Sequence, residues 1–396
     1  VPQDEYDGFI NLIFNEKLSI AEVKKESAAQ KEAIIYGFYQ NSKTIRNQLF
    51  EIEKTRKVID ENEQDKIAVK ELNNILVHQQ NLLSHFILNN LYTKKSDLKW
   101  IFKGEEIKIS SKKEFNKKLS GICSEIYPKT PKFKNELVNK HKISPSIHGA
   151  KRFYLRALAD NWNKPDLGFE GSKFPPERTI YLTLLKENGI ELYSDKINFA
   201  TQVSKNSSFN HLWNYSMDFL NSAKQNRRTI LEFIEPLTKR PFKLKQGLID
   251  FWIASFLFIK KDDYALFGES GYIPYLTDEV LELIIKLPEN YELKTFAIEG
   301  VKLDIFNSYR IFLNQQSKVK LDNETFIETI KPFLTFYRNL SEYSKTTRRL
   351  KKETLAIRDA IANSKDPEKS FFEDFPLALG YSTESLQKSK EKLQSF

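Results

Sequence analysis

Between residues 19 and 92 apolar side chains recur every third or fourth position, the step of one helix face. In the first half they fall at Ile35, Phe38, Ile45, Leu49, Ile52 and Ile59, and in the second at Val69, Leu72, Leu76, Leu83 and Phe86. Both sets step as a helical seam requires, and the acidic break Asp60–Asp65 separates them. The spacing predicts a long antiparallel helical hairpin occupying residues 1–98. Arg56, Gln79 and Asn90 interrupt the seam, which argues against a long free coiled coil.

Shorter periods follow. Trp100–Ile109 alternates around Gly104 as a small β-hairpin does. Ser111 and Glu114 have capping-box spacing at the start of a helix, which Pro128 and Pro131 end. A second helix opens at Ser144 with Pro145 in its first turn and buries Ile147, Ala150, Tyr154, Ala157 and Leu158. A third opens at Pro175 and Pro176, buries Ile180, Tyr181, Leu184 and Leu185, and closes at Gly189. Together these predict a basic helical, winged-helix-like domain over 99–205. Two amphipathic helices between Ser208 and Leu237 carry Trp213, Phe219, Ile230 and Phe233, and Thr277 caps a further helix. Two more helices are expected over 323–362, in a C-terminal helical domain spanning 301–396.

The densest apolar run, Leu248–Ile259, contains one charge, Asp250, and stops at Lys260 and Lys261. At ~1.5 Å per residue such a run is roughly 18 Å long, against about 30 Å of bilayer core, so it is too short to span a membrane. A helix apolar nearly all round belongs in the middle of a core. Tyr264–Tyr275 then reads as two short aromatic strands around a Gly-Glu-Ser-Gly turn. The order helix, buried helix, β-hairpin predicts a winged-helix-like domain over 206–300. A DNA-reading helix needs a polar face, and this one offers only Lys243, Lys245, Gln246 and Asp250 near its start. It is therefore expected to pack, leaving binding to the hairpin tip and the flanking Lys243, Lys245, Lys260 and Lys261. The fold class expected is mainly α: a helical hairpin, then helical and winged-helix-like units with small β-hairpins.

Composition agrees. The 396 residues allow two or three domains, and 13 glycines with 14 prolines favour long helices over an all-β chain. One cysteine, Cys123, excludes an internal disulfide framework or thiolate zinc site and fits a reducing cytoplasm, and no signal pattern opens the chain. The first residue is Val1, as expected of a processed chain or a piece of a larger one. The net charge is +9, unevenly spread: residues 101–153 hold 13 Lys and Arg against 5 Asp and Glu. A basic surface of this kind attracts phosphate backbones. The clusters expected to meet DNA are Lys112, Lys113, Lys117, Lys118, Lys132, Lys134, Lys151 and Arg152, with a second group at Arg348, Arg349, Lys351 and Lys352.

No catalytic constellation accompanies the charge. Neither a Walker loop nor a nucleophile elbow is present; Gly168–Phe174 has the wrong glycine spacing and no hydroxyl after Lys173. Asp166, Glu170 and Lys173 share residue types with a metal nuclease, but the acids lie four apart in one loop and the lysine is one residue too far. His78 and His85 can share a helix face without an evident third ligand, His141, His148 and His211 are read as ordinary surface or core residues, and Cys123 as a small hydrophobe. No catalytic residue, metal ligand or cofactor is expected in this chain.

Six stretches carry a resemblance: Glu125–Ser144, Leu167–Ile190, Arg240–Phe258, Asp262–Leu293, Ile330–Ile361 and Asp366–Tyr381. In order and spacing, over about residues 120–385, they resemble the region C-terminal to the ATPase core of large P-loop ATPases from bacterial anti-phage defence islands of the BREX and Pgl type. The resemblance implies a module of such an ATPase. The missing Walker lysine means that ATP binding and hydrolysis belong to the parent protein and to no residue here. The expected function is a non-catalytic nucleic-acid- or partner-binding module, with DNA, other defence-system subunits or further copies of the chain as partners and no membrane. A nuclease with an unrecognised site and a purely structural assembly subunit are the alternatives.

Overall fold

The computed structural model describes residues 6–15, 17–40, 42–93, 98–169, 171–192, 203–224, 226–261, 263–269, 271–273, 275–295, 335–363, 367–378 and 380. Among the described residues the chain is mainly helical with two small β-sheets, and it divides into two compact units, 1–128 and 129–396.

The first unit is built on a four-stranded sheet in the order β1 (Phe9–Ile13), β2 (Ile34–Tyr39), β3 (Leu98–Phe102), β4 (Glu105–Ile107). β1 and β2 run parallel, joined by α1 (Ile20–Ala29), whose Ser19 and Glu22 form a complete capping box. The remaining pairs are antiparallel. The helical hairpin, α2 (Lys43–Glu61) and α3 (Lys66–Asn90), is inserted between β2 and β3 rather than filling the N-terminal region. Thr55 Oγ1 donates to Gln79 Oε1 across it at 3.0 Å.

Ile35 and Phe38 were expected on a helix and lie on β2 instead. The strand is covered on both faces. Ile35 and Tyr39 join Trp100 and Phe102 in one cluster, while Tyr36 and Phe38 join Val23 and Ile101 in the other. A strand buried on both sides reads as a continuous apolar run, so its intervals include threes as well as twos. Leu49, expected in the seam, is exposed. The chain returns from α3 to the sheet through Trp100 Nε1, which donates to the Leu91 carbonyl at 2.9 Å. Lys103 and Gly104, both with positive φ, make the tight β3–β4 turn. α4 (Lys112–Ile126) follows, packing Phe115, Ile122 and Ile126 on the first cluster. Ser111 accepts from the Glu114 amide as expected, but the Glu114 carboxylate accepts from Ser110 rather than closing the box on Ser111. β3, β4 and α4 thus belong to the same unit as the helical hairpin, whereas the expected division ran between residues 98 and 99.

The second unit gathers α5 (Pro145–Asn161), α6 (Pro176–Leu184), α7 (Asn210–Ser222), the short α8 (Ile230–Ile234), α9 (Gln246–Ile259) and α10 (Asp278–Lys286) around one core. α9 is its centre: every residue from Leu248 to Phe258 except Asp250 is buried. Gly247 makes this possible at the N-terminal end. A Cβ there would sit 2.1 Å from the Val138 carbonyl oxygen, and the Gly247 amide donates to Lys140 at 2.9 Å, so only glycine allows the backbones to approach. A second sheet, in the order β5 (Arg228–Thr229), β8 (Glu292–Lys294), β6 (Ala265–Gly268), β7 (Gly271–Ile273), is antiparallel throughout. β6 and β7 form a hairpin closed by Gly271 at φ +98°. Thr277 caps α10 as expected. Among the described residues of the C-terminal region, 335–339, Glu342–Thr346, Lys352–Ala362 and 367–378 are helical, so the second expected helix is interrupted between Thr346 and Lys352, and the part of the first before residue 335 lies outside the described residues.

Candidate functional site

One concavity of the second unit is a cleft of about 290 Å³ where the C-terminal ends of α5 and α9 meet the β6–β7 hairpin. Asp160 and Trp162 reach it from the end of α5, Phe258 and Lys261 from the end of α9, and Tyr272 and Tyr275 from β7 and the chain beyond it. Tyr264 also lines it, and its hydroxyl donates to the Leu257 carbonyl at 2.9 Å, which holds that ring in place. The Lys261 ammonium lies 3.9 Å from the Trp162 ring centre and 4.6 Å from that of Phe258. Two ring faces thus stabilise one cation, an arrangement worth about 0.5–2 kcal/mol. The wall carries π surface, one fixed positive charge and one carboxylate. Leu266, Ile273, Leu276 and Thr277 line the cleft as well.

The basic residues expected to meet DNA are distributed unevenly. Lys112, Lys113, Lys117 and Lys118 are exposed along α4 of the first unit. In the second unit Lys132 and Lys134 are exposed, and so are Arg348, Arg349, Lys351 and Lys352, around the start of the last long helix described. Arg152 is exposed but directed to Glu282, 3.5 Å away. Lys260 is half-buried and paired with Asp263 at 3.0 Å. Lys243 and Lys245 precede α9 and are half-buried, Lys243 with φ +53°. Of the four lysines flanking the buried helix, Lys261 alone lines the cleft.

Lys151 is a correction. It is 6% exposed and pairs at 3.1 Å with Asp250, itself 12% exposed, while Gln246 Nε2 donates to the other carboxylate oxygen at 2.7 Å. A phosphate could reach this ammonium only by unpacking α5 from α9, so Lys151 is a structural ion-pair partner.

The loop carrying Asp166 is also occupied by structure. Asp166, with positive φ, pairs with Lys186 at 2.6 Å and accepts from the Tyr181 hydroxyl at 3.4 Å. Burial first, and then the neighbouring Asp166 charge, push the Tyr181 phenol above its ordinary value, so it remains the proton donor. Arg178 closes the same loop by donating to the carbonyls of Gly171 and Lys173. Glu170 lies outside the described residues. Among the described residues no cluster of three metal-capable side chains occurs, and no helix is long and apolar enough to cross a membrane.

Sequence reasoning anticipated the hairpin and Lys261 but not Trp162, Asp160 or the cleft they complete. Aromatic residues crowding both ends of the hairpin were the available signal; the approach of α5 was not readable. No family model and no curated protein matches this sequence, and no solved structure matches the fold.

Proposed function

We propose that the chain is a non-catalytic nucleic-acid-binding module, and that its order α8, α9, β6, β7 works as a winged-helix-like unit in which the hairpin side binds and α9 packs. One observation carries this reading: the cleft beside the hairpin sets Lys261 among Trp162, Phe258, Tyr272 and Tyr275. The exposed lysines of α4 supply the charge for backbone contact that needs no base reading. The resemblance of residues 120–385 supports extending the proposal to a bacterial phage-defence ATPase as the parent protein, with other subunits of that system as partners, the cytoplasm as the compartment, and ATP handled elsewhere in the parent. The nuclease alternative gains nothing from the Asp166 loop, whose acid is engaged by Lys186 and Tyr181.

The test is duplex DNA binding at two salt concentrations. Affinity is expected to fall steeply with salt, since each neutralised phosphate contributes about −0.9 to the slope of log K against log salt. Replacing Lys112, Lys113, Lys117 and Lys118 together with glutamate is expected to weaken binding at low salt by about tenfold or more and to flatten the slope. Absence of binding by the unmodified chain at low salt would remove nucleic acid from the proposal and leave a partner-docking role.

A further inference from the structure

α3 carries two stripes of side chains at heptad spacing, and only one of them is covered. Val69, Leu72, Leu76, Gln79, Leu83 and Phe86 are half-buried. Gln79 accepts from Thr55 of α2, and Leu83 and Phe86 pack on the first core cluster. One position back along each, Glu71, Ile75, His78, Leu82, His85 and Asn89 are all exposed. At about 100° per residue this second stripe lies about a quarter turn round the helix from the first, so another helix can approach it without displacing α2. No residue of the 25 in α3 is fully buried.

The second stripe is unlike the solvated surface of α2. Eleven residues between Leu72 and Asn90 are exposed, and none of them is Asp, Glu, Lys or Arg, whereas nine of the fourteen exposed residues of α2 are. Ile75, Val77, Leu82 and Leu88 are 48–55% exposed. Depletion of charge at the centre of a face is the compositional mark of a protein interface. A polyanion finds no cation between Leu72 and Asn90, and a strongly charged protein gains no ion pair there. The stripe is, however, complementary to itself. Set antiparallel about Gln80, two copies place Ile75 against His85, His78 against Leu82 and Glu71 against Asn89, each pair formed twice. Every imidazole then meets an aliphatic side chain, and the two helix dipoles oppose. A parallel pair would set His78 on His78 and His85 on His85 with the dipoles aligned.

We propose that α3 is a self-association face, and that two copies of the chain pair antiparallel through the stripe from Glu71 to Asn89 with Leu82 near its centre. The proposal is independent of the nucleic-acid reading, which uses other elements. The stretch from Leu72 to Asn90 is about 28 Å long and a helix about 12 Å wide, roughly 300 Å² of footprint on each copy. Twice that lies below the about 1,200 Å² of a standard interface, so the pair belongs to the weak, concentration-dependent class.

The experiment is sedimentation velocity of the full chain from about 1 to about 200 µM at two salt concentrations, a range chosen to bracket a weak interface. A monomer–dimer equilibrium with Kd of about 10–100 µM is expected, and because the face is uncharged Kd should differ by less than about threefold between the salts. Leu82→Lys puts a charge near the centre of the face and should weaken dimerisation by about tenfold or more. Ile67→Lys, on the same helix but off the stripe, should leave Kd unchanged. Both variants should keep the thermal transition of the unmodified monomer, since neither residue is buried. Cross-linking in a Cys123→Ala background reads the orientation. Oxidising a mixture of Glu71→Cys and Asn89→Cys chains should give the mixed disulfide, and either chain alone should give none. A monomer throughout the range would overturn the proposal. So would a dimer that folded Leu82→Lys leaves unchanged, or that Ile67→Lys weakens equally, which would make the association general apolar adhesion. Disulfides between like chains in place of the mixed one would overturn the antiparallel arrangement.

Discussion

Truncating Trp252 to alanine is expected to destabilise the 129–396 unit by about 3–5 kcal/mol, the range for deleting a large aromatic from a packed core. Trp252 is fully buried at the middle of α9, and its ring packs against Phe209, Trp213 and Phe256 at centroid distances of 5.5, 6.3 and 6.2 Å. Its Nε1 donates to Ser216 Oγ at 3.1 Å, and that hydroxyl in turn donates to the Leu212 carbonyl at 2.7 Å. Alanine leaves the second of these bonds intact, so the loss comes mainly from the cavity. Tm should fall by roughly 10 °C or more, using about 2–4 °C per kcal/mol for a unit of this size. Trp252→Phe, which keeps most of the volume and loses the N–H, should cost much less. A loss below about 1 kcal/mol for Trp252→Ala in urea unfolding would mean that α9 is not the centre of the core.

Removing the Lys151 ammonium is expected to cost nearly as much. Lys151→Ala leaves the Asp250 carboxylate nearly buried without its cation, and breaking a buried pair from one side typically costs about 3–5 kcal/mol. Gln246 still donates to that carboxylate, which moderates the loss without replacing the charge. The double replacement Lys151→Met with Asp250→Leu removes both charges and keeps the volume, so it should recover most of the stability. The double-mutant cycle separates the pair from its surroundings. If Lys151→Ala lowered nucleic-acid affinity while leaving the urea midpoint unchanged, the side chain would be a binding residue and the structural assignment would fail.

The contrast between these residues shows what was legible in the sequence. α9 could be read directly, because an apolar run too short to cross a bilayer has its stable place in the middle of a packed core. Its pairing with α5 was written in two isolated charges. Lys151 stands on the same face as Ile147, Ala150, Tyr154 and Leu158, and Asp250 stands alone in its run. Read as part of a Lys-Arg pair, Lys151 resembled surface charge; read by helix face, it demanded a buried acid. β2 misled for a different reason. Coverage on both faces erases the two-residue alternation that marks a strand, and Gly37 in "IIYGFY" was the remaining sign against a helix. The cleft was legible only in part. Its residues come from three separated stretches, and nothing local to Trp162 announces that the end of α5 will face the hairpin.

The position of the helical hairpin bears on the order in which the first unit folds. β2 and β3 are adjacent strands, yet the chain leaves the sheet at Tyr39 and returns at Leu98. An unstructured excursion would add a closure cost that grows as about (3/2)RT ln n with its length n. Two antiparallel helices joined at a tight turn bring their own ends back together through contacts local to each helix and to the pair. α2 and α3 therefore act as a splint, expected to form before β2 finds β3. Leu76→Ala in the seam should then slow folding more than it speeds unfolding; a change confined to the unfolding rate would place the hairpin late.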